Sequence, residues 1–464
     1  MSEAEGKDIP KRSTTLFLYI AVSVASLGGL IYGYDLAGIA GAILFIKKEF
    51  SLSPFSQELV LSSVLFGAMI GAALGGKLTD RLGRRKILII CAVISFIGVL
   101  GTVLAHSILL LIIARIVVGA AFGVLSFAVP LYISEMSSPT NRGKLVSIFV
   151  FAILSGVLIS YLVDYYFSAY SQWRLMFAVG LVPALLLFVG MFFLPESPRW
   201  LIKHGYDDKA RNILARIRGT NEVDNELSSV KDTLKQSKPN WRELIAPVIR
   251  PALVLGLGLA MIRQLTGLSL ATFYAPTIFE LAGFHSASTA ILQTVGMGVV
   301  FVVMSIVAMN LMDRLGRRPT MLFGLAGMFI GLIVLGIAFY FQKSGGGLLG
   351  YLSVGSLIFF VAAWTIGPGT VVQLVISEIF PLSVRAVAMS AVTAVIWATY
   401  LVVTLTFLSL IDYLGRPDTF WLYAAMCIVS FVYVYFYMPE TKGLSLEEIG
   451  EHWHKGKKTA EQKR

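Results

Sequence analysis

The chain has 464 residues, of which 56% are hydrophobic and only 14% charged, too little polar surface for a water-soluble globule. That balance places it in a lipid bilayer. Its net charge of +11 would otherwise suggest a nucleic-acid partner, but the basic residues are distributed as a topology signal, so nucleic acid is excluded.

Twelve apolar stretches of about 18 residues or more follow one another, each long enough to cross a hydrocarbon core of ~30 Å. In chain order they cover 16–38, 57–78, 87–106, 109–130, 145–165, 174–194, 250–273, 289–312, 319–341, 348–376, 386–410 and 419–438. The first is too long for a secretory signal and has no small-residue cleavage site, so it is read as a retained membrane helix. Cys91 and Cys427 fall inside apolar stretches and read as small buried hydrophobes. No disulfide framework, metal site or cofactor is implied.

With both termini cytoplasmic, 30 of the 38 Lys and Arg residues lie on that side and only Lys47, Lys48, Lys343 and Arg416 outside. Eleven of the thirty belong to the central polar segment, and the remaining nineteen against four still fix the orientation by the positive-inside rule. The expected location is the cell's inner (plasma) membrane.

Three motifs occur twice in the same order. Asp80-Arg81-Leu82-Gly83-Arg84-Arg85 returns as Asp313-Arg314-Leu315-Gly316-Arg317-Arg318, 233 residues later; Glu135 with Arg142 returns as Glu378 with Arg385, offset 243; Pro195-Glu196 returns as Pro439-Glu440, offset 244. Three ordered matches at nearly one offset indicate a duplicated six-helix unit, both copies in one orientation. Parallel repeats of this kind build transporters whose solute site lies between the halves near the midplane. The divisions expected are a cytoplasmic segment 1–15, a first six-helix bundle 16–199, a helical cytoplasmic linker 200–248, a second bundle 249–440 and a tail 441–464. Within the linker, 207–217 and 225–235 are compatible with helix.

The repeated charges have a mechanical reading. Arg84, Glu135, Arg142 and Glu196, with Arg317, Glu378, Arg385 and Glu440, form ion pairs and helix-end contacts of a cytoplasmic gate. Exposed pairs contribute only about 0–1 kcal/mol each, which suits a gate that opens in every cycle. Gly67, Gly71 and Gly75 in the second stretch, and Gly119 and Gly123 in the fourth, recur every fourth residue and let backbones approach.

Two ionisable residues lie deep in apolar stretches, Asp35 in the first and Arg115 in the fourth. A charge in hydrocarbon is costly enough to mark a functional site by default. An Asp and an Arg neutralise each other, and the proton affinity of the Asp then depends on how close the Arg sits. The expectation is a proton-coupling pair. Arg263 and Gln264 open a polar cluster with Ser269 and Tyr274, flanked by Gly267 and Pro276, which breaks the seventh helix and lines a cavity for a small polar solute. Gly367-Pro368-Gly369 is a second helix breaker, shortly before Gln373.

These residues resemble the sugar porter branch of the major facilitator superfamily, which includes bacterial galactose–proton and xylose–proton symporters. The likeness is carried by Gly33-Tyr34-Asp35, both Asp-Arg-Leu-Gly-Arg-Arg loops, Pro130-Leu131-Tyr132-Ile133-Ser134-Glu135 with Arg142-Gly143, and Pro195-Glu196-Ser197-Pro198-Arg199-Trp200-Leu201. Gln264-Leu265-Thr266-Gly267, Tyr274-Ala275-Pro276 and Pro439-Glu440-Thr441-Lys442-Gly443 complete it. The resemblance implies an all-α integral membrane protein, twelve transmembrane helices in two parallel-repeat six-helix bundles, working by alternating access, monomeric and not an enzyme. It also implies that Asp35 and Arg115 form the proton site. The sugar-contact positions agree less well: family polar or Trp positions fall on Val150, Arg263, Ser269, Phe301, Gln373 and Tyr400, while Gln264, Tyr274 and Trp397 keep their expected types. The leading expectation is proton symport of a sugar or polyol. The alternative is a sugar acid or other organic anion, because a guanidinium at Arg263 suits a carboxylate.

Overall fold

The computed structural model describes residues 15–138, 141–220, 223–236, 246–247, 249–341, 347–380 and 384–441, without side chains at 229, 232–236, 313, 377 and 385–386. Its described residues contain twelve helices long and apolar enough to cross a membrane. In order these spans are Leu16–Glu49, Pro54–Leu82, Arg84–Val103, Ile108–Met136, Arg142–Ser168, Trp173–Phe192, Arg250–Thr272, Ala287–Met312, Arg317–Phe341, Leu348–Ile376, Val387–Leu414 and Arg416–Tyr437. No strand occurs among the described residues. The first span runs well past residue 38, because 39–46 are uniformly apolar and Lys47 and Lys48 complement the dipole in the last turn.

Glycines set the seams inside each half. A methyl built on Gly119 would sit 1.9 Å from the Val64 carbonyl oxygen, and one on Gly67 would sit 2.1 Å from that of Ile116. The second and fourth spans thus touch backbone to backbone through glycines of both helices. A methyl on Gly75 would meet Val124 only at an ordinary 3.4 Å, so the tight seam ends before that residue. The first and fifth spans meet in the same way, Gly33 against the Ile153 carbonyl oxygen and Gly156 against that of Leu30. Lipid tails offer no hydrophobic drive between helices, so such close approach is what holds a bundle together.

The repeated loops lie on one face of the molecule, called here the motif face. On it, each half carries the same network. The Glu196 carboxylate accepts the Arg84 and Arg85 backbone N–H groups at 2.8 and 3.0 Å, and Glu440 accepts those of Arg317 and Arg318 at 2.9 and 3.0 Å. Each acid therefore caps the N-terminus of the span that begins at the repeated loop, satisfying donors the helix leaves orphaned and countering its dipole. Gly83 and Gly316 stand at the entry of those helices with φ of 94° and 97°. A side chain there would strike the capping carboxylate.

Three short helices follow the first half: Pro198–Lys203, Asp207–Arg218 and Asp224–Gln236. The first two are fastened to that half, and the third to the second through Arg218 and Glu226. Trp200 Nε1 donates to the Asp80 carbonyl at 2.9 Å, Arg218 Nη1 to that of Met136 at 3.0 Å, and Thr15 Oγ1 to that of Ile217 at 2.9 Å.

The halves join chiefly through the second span against the eleventh and the fifth against the eighth. At the face opposite the motifs they are tied by polar contacts. Glu58, fully buried, accepts from the Ser409 backbone N–H at 2.8 Å and its hydroxyl at 2.6 Å; Ser168 and Ser288 hydroxyls lie 2.8 Å apart; and Lys47 pairs with Glu280. These contacts hold the two halves together at this far face.

Candidate functional site

Asp35 is 2% exposed and Arg115 is fully buried. The guanidinium donates from Nη1 to Asp35 Oδ2 at 2.5 Å and from Nη2 to the Asp35 carbonyl at 3.2 Å. Its plane also lies 5.2 Å from the Phe177 ring centroid, a cation–π contact from the sixth span. The glycine seam between the first and fifth spans brings this stretch of the first helix inward, and Tyr34 anchors it by donating to the Met176 carbonyl at 2.5 Å. The structure therefore brings together two charges 80 residues apart. Removing one partner of such a buried pair costs about 3–5 kcal/mol, because the survivor is left uncompensated. Arg115 Nε has no partner among the described groups.

The seventh span is interrupted at Gly267, which takes φ of 99°. Helix Arg250–Leu265 ends there, a short turn Leu268–Thr272 follows, and a further helix starts at Ala275 beside Pro276. The broken seventh span and the eleventh span leave a set of buried polar groups without partners. Gln264 Oε1, Ser269 Oγ, Tyr400 OH, Thr404 Oγ1 and Arg263 Nε are all buried with no partner at hydrogen-bond geometry among the described residues, Thr272 being the group that faces the Tyr400 hydroxyl. Five orphaned polar atoms in one region are costly, and a polar ligand or water satisfies them. Tyr274 is not among them. It donates to the Thr404 carbonyl at 2.5 Å and packs on Phe407, so it braces the seventh span against the eleventh.

Aromatic rings from both halves enclose the cluster. Tyr32 of the first span lies between Phe122 at 5.7 Å and Trp397 at 5.9 Å, centroid to centroid, and Trp397 continues to Tyr400 at 6.4 Å. Tyr32 and Tyr400 are also the titratable groups that face Arg263. Among the described residues, Arg263 has no carboxylate partner. It donates from Nη1 to Gln373 Oε1 at 2.9 Å and lies 5.8 Å from the Trp364 centroid. Three of the positions that depart from the family pattern, Arg263, Gln373 and Tyr400, are thus neighbours. Phe301 packs edge-on against Trp364, centroids 6.1 Å apart, and presents no polar atom; Val150, 46% exposed, presents none either.

The tenth span contains no break. Thr365–Gly369 forms a π-helical turn between helices Leu348–Trp364 and Thr370–Ile379. Pro368 lacks a donor for the ordinary ladder, and the chain widens by one residue instead of stopping.

Of the motif-face residues, Arg84 forks onto Glu135 through Nε at 2.9 Å and Nη2 at 3.0 Å, and Ser197 donates to the same carboxylate. In the second half Arg317 Nη2 reaches Glu378 at 3.1 Å and Thr441 donates to Glu378 at 2.5 Å. These pairs join elements of one half. Arg142 donates to the Ser134 carbonyl at 3.1 Å. The side chain of Arg385 lies outside the described residues, as do residues 1–14 and 442–464 of the terminal segments.

Sequence reading passed over two buried acids, Asp164 in the fifth span and Glu58 in the second. The signal was available, since each is an ionisable residue within an apolar run, the criterion that marked Asp35. Both lie close to the end of a predicted stretch, where an acid reads as a boundary.

Two six-helix halves with a buried ion pair in one, a broken helix in the other and unpartnered polar groups where they meet define a membrane transporter of the major facilitator fold. The chain matches the family described as "Sugar (and other) transporter" over residues 21–453, and it belongs to that family. It is 41% identical over 440 residues to the putative metabolite transport protein YwtG of Bacillus subtilis, covering 95% of each chain. It is 37% identical to the arabinose-proton symporter of the same organism, covering 96% of this chain and 97% of that one. Among solved structures it is similar to the inward open conformation of the xylose transporter XylE from E. coli, with TM-score 0.82 and 30% identity over 94% of this chain and all of that one.

Proposed function

We propose that this protein is a proton-coupled symporter of a small sugar, a pentose or hexose, in the plasma membrane, working as a monomer with both termini cytoplasmic. The observation that carries the reading is the isolated Asp35–Arg115 pair, a protonatable carboxylate held by one cation inside a bundle whose other half offers unpartnered hydroxyl and amide groups. Asp35 takes a proton from outside, its hold on Arg115 loosens, and the proton is released inside after the halves rock. Sugar hydroxyls engage Gln264, Ser269 and Tyr400, with Trp397 and Tyr32 as apolar walls. The division into bundles 16–199 and 249–440, with the linker between them, is part of this reading. The basic residues of the motif face favour a cytoplasmic position for it, and the far-face contacts then form the closed external gate. Arg84, Glu135, Arg142 and Glu196, with Arg317, Glu378, Arg385 and Glu440, brace the cytoplasmic ends of the halves and gate that side.

The test is proton uptake by vesicles containing the purified protein on addition of D-xylose, L-arabinose, D-galactose, myo-inositol or D-glucuronate. Uptake with at least one neutral sugar supports the reading; binding without proton movement for all of them refutes it.

One observation favours a second substrate class. Among the described residues Arg263 is not paired with a carboxylate, so its charge is available to an anionic solute such as a uronic acid. Replacing Arg263 by Gln is expected to weaken transport of an acidic sugar by roughly ten- to a hundredfold, the worth of a hydrogen bond to a charged group. Transport of a neutral sugar should change far less. Equal losses for both, measured as kcat/KM in vesicles, would assign Arg263 to packing.

A further inference from the structure

Asp164 of the fifth span is fully buried, and neither of its carboxyl oxygens accepts a hydrogen bond among the described groups. It is pressed against the first span at two glycines. A methyl built on Gly41 would lie 2.6 Å from Oδ2, and one on Gly38 would lie 4.0 Å from Oδ1. The Gly41 peptide N–H faces the carboxyl from that helix without reaching hydrogen-bond geometry. The titratable groups facing it are the hydroxyls of Tyr34, from the first span, and Tyr161, one turn away on its own. Both are engaged elsewhere, Tyr34 with the Met176 carbonyl and Tyr161 with that of Thr272 at 3.4 Å. No Lys, Arg or His pairs with Asp164 among the described residues.

Asp35 and Asp164 therefore meet the same cost in different ways. An ionised carboxylate removed from water without a partner costs several kcal/mol even after relaxation. Arg115 compensates Asp35, whereas Asp164 escapes the cost only as the neutral acid. Its place along the membrane matters too. Gly38 and Gly41 lie beyond Asp35 in the chain, which at 1.5 Å per residue puts them ~4.5 and ~9 Å further toward the far face.

We propose that Asp164 is a second proton-binding carboxyl, loaded from the far face, and the donor of the proton that Asp35 carries. The step is a plain proton transfer, through water or directly: the O–H bond at Asp164 breaks, one forms at Asp35, and Asp164 is left as a carboxylate. It regains a proton from external water when the far face opens. The transfer rests on the coupling role of Asp35 proposed above, while the protonated state of Asp164 does not.

Infrared spectroscopy of the purified protein near neutral pH separates the two. The wild type should show a protonated-carboxyl C=O band that shifts in D2O; Asp164→Asn should remove it, Asp164→Glu should move it, and Asp35→Asn should leave it in place. In vesicles energised with D-xylose, Asp164→Asn should slow proton uptake about tenfold and flatten its dependence on external pH, with D-xylose exchange kept within about twofold. No such band in the wild type, or a band that Asp164→Glu does not move, overturns the proposal even where the Asn variant fails to fold. Unchanged proton uptake in Asp164→Asn overturns the relay. If Asp35→Asn retains coupled uptake while the band still maps to Asp164, the role given to Asp35 fails and the second carboxyl stands.

Discussion

Replacing Asp35 by Asn is expected to lower solute-driven proton uptake by roughly a hundredfold or more, on the scale of losing a positioned proton-transfer group, while exchange of labelled solute across the membrane persists. Asn resembles the protonated acid in shape and in its lack of charge, so the variant imitates the one state of Asp35 that releases Arg115. Exchange needs the halves to rock with solute bound but needs no change of protonation. Accumulation against a gradient needs both. The variant also leaves Arg115 buried without its counter-charge, so a lower melting temperature should accompany the transport defect. Vesicles loaded with a pH dye and assayed in parallel for counterflow give both readouts. Proton uptake at the wild-type level would remove Asp35 from the coupling mechanism.

The second large effect is on folding. Gly119→Leu would drive a side chain into the Val64 carbonyl, which a methyl alone would meet at 1.9 Å. Overpacking a tight interior costs about 1–3 kcal/mol even where side chains can shift, and here the obstacle is backbone on the facing helix. The variant should give little monodisperse protein on size-exclusion chromatography and a strongly depressed melting temperature in detergent. Gly75→Ala, whose added methyl would meet Val124 at 3.4 Å, serves as the control and should behave as wild type. Normal yield of Gly119→Leu would show that the two helices separate at little cost.

Hydropathy alone located twelve spans, because a bilayer imposes its thickness on every crossing segment and polar residues must collect between them. The duplicated Glu196 and Glu440 were legible as a repeat for a related reason: each caps the helix that follows its partner loop, so the two copies were held to the same residues. Other features depend on which side chains meet across the fold. Nothing local in Gln373 announces that it will accept from Arg263, 110 residues earlier. Gly367-Pro368-Gly369 reads as a helix breaker within the tenth stretch because a proline's missing donor is visible in a sequence, whereas the π-turn widening that accommodates it is not. Asp164 and Glu58 were masked by position, near helix ends where an acid is ordinary unless the neighbouring helix is known to cover it.

The hydrogen bond from Thr15 to Ile217 has an engineering consequence. It brings the start of the first six-span unit to the helix that follows its end, and with Trp200 on Asp80 and Arg218 on Met136 it gives that unit a clasp of its own. The second unit keeps its own as well, Glu440 at the head of its third helix and Thr441 on Glu378. With each unit clasped by contacts of its own, the chain that joins them is the natural place to cut the gene in two and express the halves as separate polypeptides.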